Sequence, residues 1–221
     1  MNEPMNENLD LEKLEKKAAS SLYQDGIFDI SLGHVLIAFG TASWLENHLP
    51  ETVSTLLALV IYLVVFIPIW VVYFFVTKPR LGIVKFGIKR RRSNAIVISL
   101  VTLVLIANIV VFILIFTDII QFSGYEYLLA AIFGLVPLVI FTAMAYFLSY
   151  NRLYLTGLLF SAGFFLKELL TLQSLDLYGN IVFISIGGII IAIGLAYLIR
   201  FFKKYPKIKV SSHEYQETGN Q

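Results

Sequence analysis

Two ionisable side chains, Asp29 and His34, stand in the otherwise apolar stretch Ile27–Leu45. At membrane depth such groups are costly, and where they persist they mark proton relays, ion paths or ligand counter-charges. Five residues apart, however, the two sit about 140° round a helix and share no face. Asp29 shares one with Asp25 and Gly33, and His34 with Ala38 and Thr41. The plainer expectation is structural. Asp29 would pair with the N-terminus of its own helix or with an arginine of a basic loop. His34 would stay neutral and bond a neighbouring hydroxyl or Asn108, the third polar candidate at membrane depth.

The second cluster is basic. Lys78, Arg80, Lys85, Lys89, Arg90, Arg91 and Arg92 lie in the segment 77–94, which holds no acidic residue. Each cation near an anionic membrane surface contributes roughly 1 kcal/mol of attraction. A guanidinium such as that of Arg80 can grip a phosphate with its planar fork, while Lys85 acts as a point charge. These seven residues are candidate contacts for anionic lipid or phosphate. The competing reading is a plain topological anchor with no preferred lipid.

Nothing else suggests catalysis. The chain has no Cys, which removes disulfides, thiolate metal sites and a thiol nucleophile. No HExxH, Gly-x-Ser-x-Gly, P-loop or paired-acid pattern occurs, so no catalytic, cofactor-binding or metal-binding residue is assigned and no cofactor is expected.

These residues must be carried by membrane helices. Of 221 residues 58% are apolar and only 14% charged, where soluble domains carry about a quarter charged residues. Six apolar runs, each long enough to cross about 30 Å of hydrocarbon, are predicted at Ile27–Leu45, Thr52–Val76, Ala95–Phe116, Tyr125–Ser149, Leu153–Leu170 and Asn180–Phe202. A short amphipathic helix is expected before them, from about Leu9 to Gln24, lying on the cytoplasmic surface. No cleavable signal peptide is expected. With both termini inside, all Lys and Arg residues except Lys167 fall in or beside the inner segments 1–26, 77–94, 150–152 and 203–221. That bias sets the orientation. The fold class is thus an all-α polytopic bundle of six transmembrane helices. It divides into a cytoplasmic segment 1–26, a membrane domain 27–202 and a cytoplasmic tail 203–221.

Helix breakers and small residues bear on packing. Pro68, Pro137 and the pair Gly187–Gly188 fall in the three runs that descend towards the inner side, where prolines are expected to kink the helices. Gly188, Ala192 and Ala196, Gly157 and Ser161, and Ala130 and Gly134 form small-residue stripes suited to close helix approach or to a homo-oligomer. The run from Ile30-Ser31-Leu32-Gly33 to Ala38-Phe39-Gly40 resembles that from Ile184-Ser185-Ile186-Gly187 to Ala192-Ile193-Gly194. Because the two runs point in opposite directions, the likeness reads as accidental or as a faint inverted repeat. Adjacent Lys167 and Glu168 are expected to snorkel to the outer headgroups.

Three stretches, DGIFDISLG at Asp25–Gly33, PRLGIVKF at Pro79–Phe86 and RFFKKYP at Arg200–Pro206, together resemble an uncharacterised family of small prokaryotic six-helix membrane proteins. The resemblance implies a topology and carries no assigned activity. The functional expectation is a non-enzymatic module of the cell membrane that binds anionic membrane lipid or a cytoplasmic protein partner at its inner face; no nucleic-acid partner is expected. The alternative is a transporter or channel for a small uncharged or lipid-like substrate.

Overall fold

The computed structural model describes residues 23–81, 88–117, 124 and 126–205. Among them there are six long helices and no strand. They are α1 (Ile27–Glu46), α2 (Glu51–Val72), α3 (Ile88–Phe116), α4 (Glu126–Leu148), α5 (Arg152–Leu172) and α6 (Asp176–Lys204). A π-helical turn, Tyr73–Thr77, and a last α-turn, Lys78–Leu81, continue α2. All but α3 are long and apolar enough to cross a membrane; in α3 the corresponding described run is Arg92–Val104. The expected amphipathic helix lies outside the described residues except for its end, where Tyr23–Asp25 form a turn. The tail beyond Tyr205 also lies outside them.

Each predicted run is helical, and the differences are at the ends. α3 starts at Ile88 rather than Ala95, so Lys89–Arg92 belongs to its first turns. Lys and Arg are good helix formers, and a helix need not stop where the apolar stretch does. Likewise α2 runs past Val76 to Leu81. Pro68 and Pro137 lie inside continuous helices. Below Pro68 the backbone of α2 widens into its π-turn, a feature frequent at functional sites.

The first and last helices make the most extensive contact, followed by α4 with α5 and α5 with α6. α2 packs on α1 and α3 on α4. Glycine brings α1 and α6 together. A Cβ at Gly33 would lie 2.6 Å from the carbonyl oxygen of Gly187, and one at Gly187 would lie 2.6 Å from that of Gly33. One at Gly194 would lie 2.8 Å from the Gly26 oxygen, and one at Gly40 would lie 3.0 Å from the Asn180 oxygen. The facing pairs thus step by seven residues, about two turns, in opposite directions along the two antiparallel helices. Backbone packs directly on backbone, which is how helices associate where lipid gives no hydrophobic drive. The likeness between the two sequence runs is therefore the two sides of one contact.

The stripe expected on α6 lies off the glycine contact with α1. Gly188 has nothing within 4 Å of an added Cβ, and Ala192 and Ala196 are exposed. A seven-residue step, not a four-residue step, marks the buried face. Between α4 and α5 the expected stripes do meet. The Ser161 hydroxyl donates to the Gly134 carbonyl oxygen, and Gly157 packs under Phe141. Leu36, Leu153 and Ile190, fully buried, fill the centre between α1, α5 and α6. Large apolar side chains cover the outer faces of α2, α3 and α4, as lipid-facing helices require.

Candidate functional site

The polar chemistry gathers at one end of the bundle, where α1 and α5 begin and α6 ends. Gly26 holds a left-handed conformation (φ 75°) that swings the chain from Asp25 into α1, and its Cβ would strike the Gly194 carbonyl. Only glycine meets both demands. Across the bundle, α4 closes with a Schellman-type turn: the Tyr150 N–H donates to the Ala145 carbonyl at 3.0 Å, with Ser149 left-handed (φ 54°). That turn aims Tyr150 inward and starts α5 at Arg152.

Asp29 is fully buried at the meeting point. Its Oδ2 accepts from the Tyr150 hydroxyl at 2.7 Å and lies 3.1 Å from Arg152 Nη1. Its Oδ1 accepts from Thr156 Oγ1 at 3.3 Å. Arg152 also donates to the Tyr23 carbonyl and lies 3.8 Å from the centre of the Tyr197 ring. Tyr23 stacks on Tyr150, and Phe28 meets that ring edge-on. A buried carboxylate survives only when it is paired and hydrogen-bonded, and this one has a cation and two hydroxyl donors. Burial, reinforced by the Asp29 carboxylate, pushes the Tyr150 phenol far up, so Tyr150 serves as a fixed donor.

Asp25 lies beside this group and is only 2% exposed. Its Oδ1 accepts from the Ile27 backbone N–H at 3.2 Å, while Oδ2 has no hydrogen-bond partner among the described residues. Burial pushes its carboxyl up to about 6, against the pull of the Ile27 N–H and of Arg152.

Two cavities flank the pair Asp29–Arg152. One, of about 300 Å³, lies between α5 and α6 and is lined by Asp29, Arg152, Thr156, Tyr197 and Arg200. The other, of about 240 Å³, lies between α1 and α2 beside the π-turn and is lined by Asp25 and by four aromatic rings.

No protein-family model, curated protein or solved structure matches the chain. The site must therefore be read from its own geometry.

The residues singled out by sequence separate into three places. Asp29 is central, but its arginine comes from the first residue of α5 and not from the basic loop. His34 lies deeper, where its Nε2 is 3.1 Å from the Tyr62 carbonyl and its ring stacks on Tyr62. Its partner is therefore a main-chain oxygen of α2 rather than a hydroxyl. The Asn108 side chain lies outside the described residues.

In the basic segment, Arg80 Nη1 donates to the Tyr205 carbonyl at 3.2 Å and its guanidinium covers the Phe202 ring. Lys78 Nζ lies over Phe74 and Arg92 is exposed. Lys85 and the side chains of Lys89, Arg90 and Arg91 lie outside the described residues. Arg80 thus ties the end of α2 to the end of α6. At the far end, Lys167 donates to Thr171 Oγ1 at 2.7 Å and pairs with Asp176 at 3.8 Å. It joins the end of α5 to the start of α6 there.

Sequence reasoning missed Tyr150, Arg152, Thr156 and Tyr197. The available signal was Arg152 itself, the one charged residue of the short turn 150–152.

Proposed function

We propose that this chain is a non-enzymatic module of the cell membrane, with both termini in the cytoplasm, that binds an anionic lipid headgroup at its basic inner end. The observation that carries the reading is the cavity of about 300 Å³ between α5 and α6, where Arg152 and Arg200 line one space with Thr156 and Tyr197. Guanidinium forks with a hydroxyl beside them suit a phosphate. Arg152 is largely committed to Asp29, so Arg200 supplies the unbalanced charge. The segment 77–94 adds further cations on the same side of the membrane under the charge-bias orientation.

A transporter needs a route across the bilayer. The contact of α1 with α6 offers none, because backbone touches backbone along it at Gly33 and Gly187. That favours a binding module.

Native mass spectrometry of protein released from mixed phosphatidylglycerol and phosphatidylethanolamine, a zwitterionic lipid without choline, tests the reading. Wild type should retain anionic lipid preferentially, and Arg200→Gln should lose most of that preference. Equal retention of both lipid classes by wild type would overturn it. Reporter fusions at His48 and at the C-terminus should report opposite sides of the membrane, with the C-terminus inside. Substrate-dependent flux through reconstituted vesicles would favour the transporter instead.

A further inference from the structure

The second cavity differs in chemistry from the first. Tyr23, Phe28, Trp70 and Tyr73 present four aromatic rings around its 240 Å³, and Asp25 and Ser31 supply the polar atoms. The rings come from two directions. Tyr23 and Phe28 meet edge-on at 6.4 Å at the start of α1, and Trp70 and Tyr73 meet edge-on at 5.7 Å where α2 widens into its π-turn. The Ser31 hydroxyl is spent on the Ile27 carbonyl at 2.9 Å. Oδ2 of Asp25, on a residue 98% removed from solvent, has no hydrogen-bond partner among the described residues.

A buried carboxylate oxygen without a donor is expensive. Nearby charge does not relieve it. Among the described residues Arg152 is the cation whose charge acts on Asp25, and it is already held by Asp29, so at this point two carboxylates face one guanidinium. With both carboxylates ionised the group is left one positive charge short. A ring of aromatic faces attracts cations through the quadrupole of each ring, and such cages are the recurrent way to hold a methylated ammonium. The space exceeds a single trimethylammonium group.

We propose that the cavity between α1 and α2 binds an organic ammonium cation, its charge against Asp25 and its methyl groups against Tyr23, Phe28, Trp70 and Tyr73. The occupant is a quaternary amine that is either free or the headgroup of a choline lipid. A Lys side chain suits the site less, since a compact hydrated ammonium gains less from aromatic faces than a methylated one.

Trp70 supplies the readout. Only two Trp occur in the chain, so in a Trp44→Phe background Trp70 is the sole indole. Choline and tetramethylammonium should shift its emission saturably. The neutral isostere 3,3-dimethylbutan-1-ol should bind roughly tenfold more weakly or not at all, because it fills the same space without the charge. Asp25→Asn should weaken choline to a similar degree while leaving the isostere unchanged. Should that variant not fold, Trp70→Leu measured by choline-dependent thermal shift replaces it, and should lose the shift.

Choline affinity should also fall as pH drops through about 6, where Asp25 takes up a proton. Among the described residues the other titratable and charged groups around Asp25 are Tyr23 before α1, Asp29 of α1, Tyr73 after α2, Tyr150 before α5, Arg152 of α5 and Lys204 of α6 beside Gln24. Nanodiscs separate the two sources. If a lipid headgroup is the occupant, phosphatidylcholine discs shift Trp70 without added choline and block further response, while phosphatidylglycerol discs leave it open. If a free amine is the occupant, both discs respond equally. Equal affinity for choline and its neutral isostere, or an Asp25→Asn variant that binds choline like wild type, would overturn the proposal.

Discussion

Gly33 of α1 and Gly187 of α6 face each other so closely that a methyl group on either would stand 2.6 Å from the other's carbonyl oxygen. The atoms that would have to move are backbone, so neither side can yield by rotating a side chain. Gly33→Val or Gly187→Val should therefore push α1 from α6 and cost about 3 kcal/mol or more. Gly188→Ala, one residue away on an open face, should change stability by no more than about 0.5 kcal/mol. Unfolding measured in one detergent for all three variants decides it. A Gly188→Ala variant as damaged as Gly187→Val would show that the faces of α6 are assigned the wrong way round.

Removing Arg152 strands the carboxylate of Asp29. Arg152→Gln should cost about 3 kcal/mol, since breaking a buried pair leaves an uncompensated charge. Adding Asp29→Asn should recover much of that loss. A double variant as unstable as the sum of the two single variants would mean that the residues do not act on each other.

Asp25 makes stability depend on pH in the unusual direction for a carboxylate. Its folded value is raised to about 6 from an ordinary 3.8, so between those values the folded protein holds the extra proton. Stability from this group is therefore fullest below the lower value and declines as pH rises through the upper one. The full swing is roughly 3 kcal/mol. Without added amine, Asp25→Asn should melt higher than wild type at pH 7.5 and close to it near pH 4. The same melting difference at both pH values would separate the effect from ionisation.

His34 is read as structural. His34→Asn can keep a hydrogen bond to the Tyr62 carbonyl but loses the ring stacking, and should cost on the order of 1 kcal/mol. Any ammonium- or lipid-binding signal should survive it. Loss of such a signal from a folded His34→Asn protein would give His34 a functional place.

The six helices were legible because apolar length and charge bias are local properties of the chain, and the runs predicted at Thr52–Val76 and Asn180–Phe202 needed only a few residues added at their ends. Asp29 was legible as a costly residue, yet its partner was not. Arg152 lies 123 positions further on, and no local pattern links an aspartate near the start of α1 to an arginine opening α5. The glycines of α1 and α6 were visible as a likeness, but likeness alone does not reveal that two runs touch. A four-residue spacing of small side chains also drew attention to Gly188, when the antiparallel contact repeats every seven. The cage between α1 and α2 was hidden for a related reason. Tyr23 and Trp70 lie 47 positions apart, and no local pattern links them until the fold sets them round one aspartate.

The pairing of α1 with α6 also has a consequence for how the protein is made. A ribosome delivers α1 first of the six and α6 last, so the glycine face of α1 and Asp29 are made long before their partners exist. Arg152 is made only after α1 to α4, and Gly187 only after α5 as well. Until then α1 has α2 as its chief cover, and its exposed aspartate invites quality-control proteases or retention at the insertion machinery. Chains stopped before α6 should be short-lived, and assembly should complete in a single late closing step after synthesis.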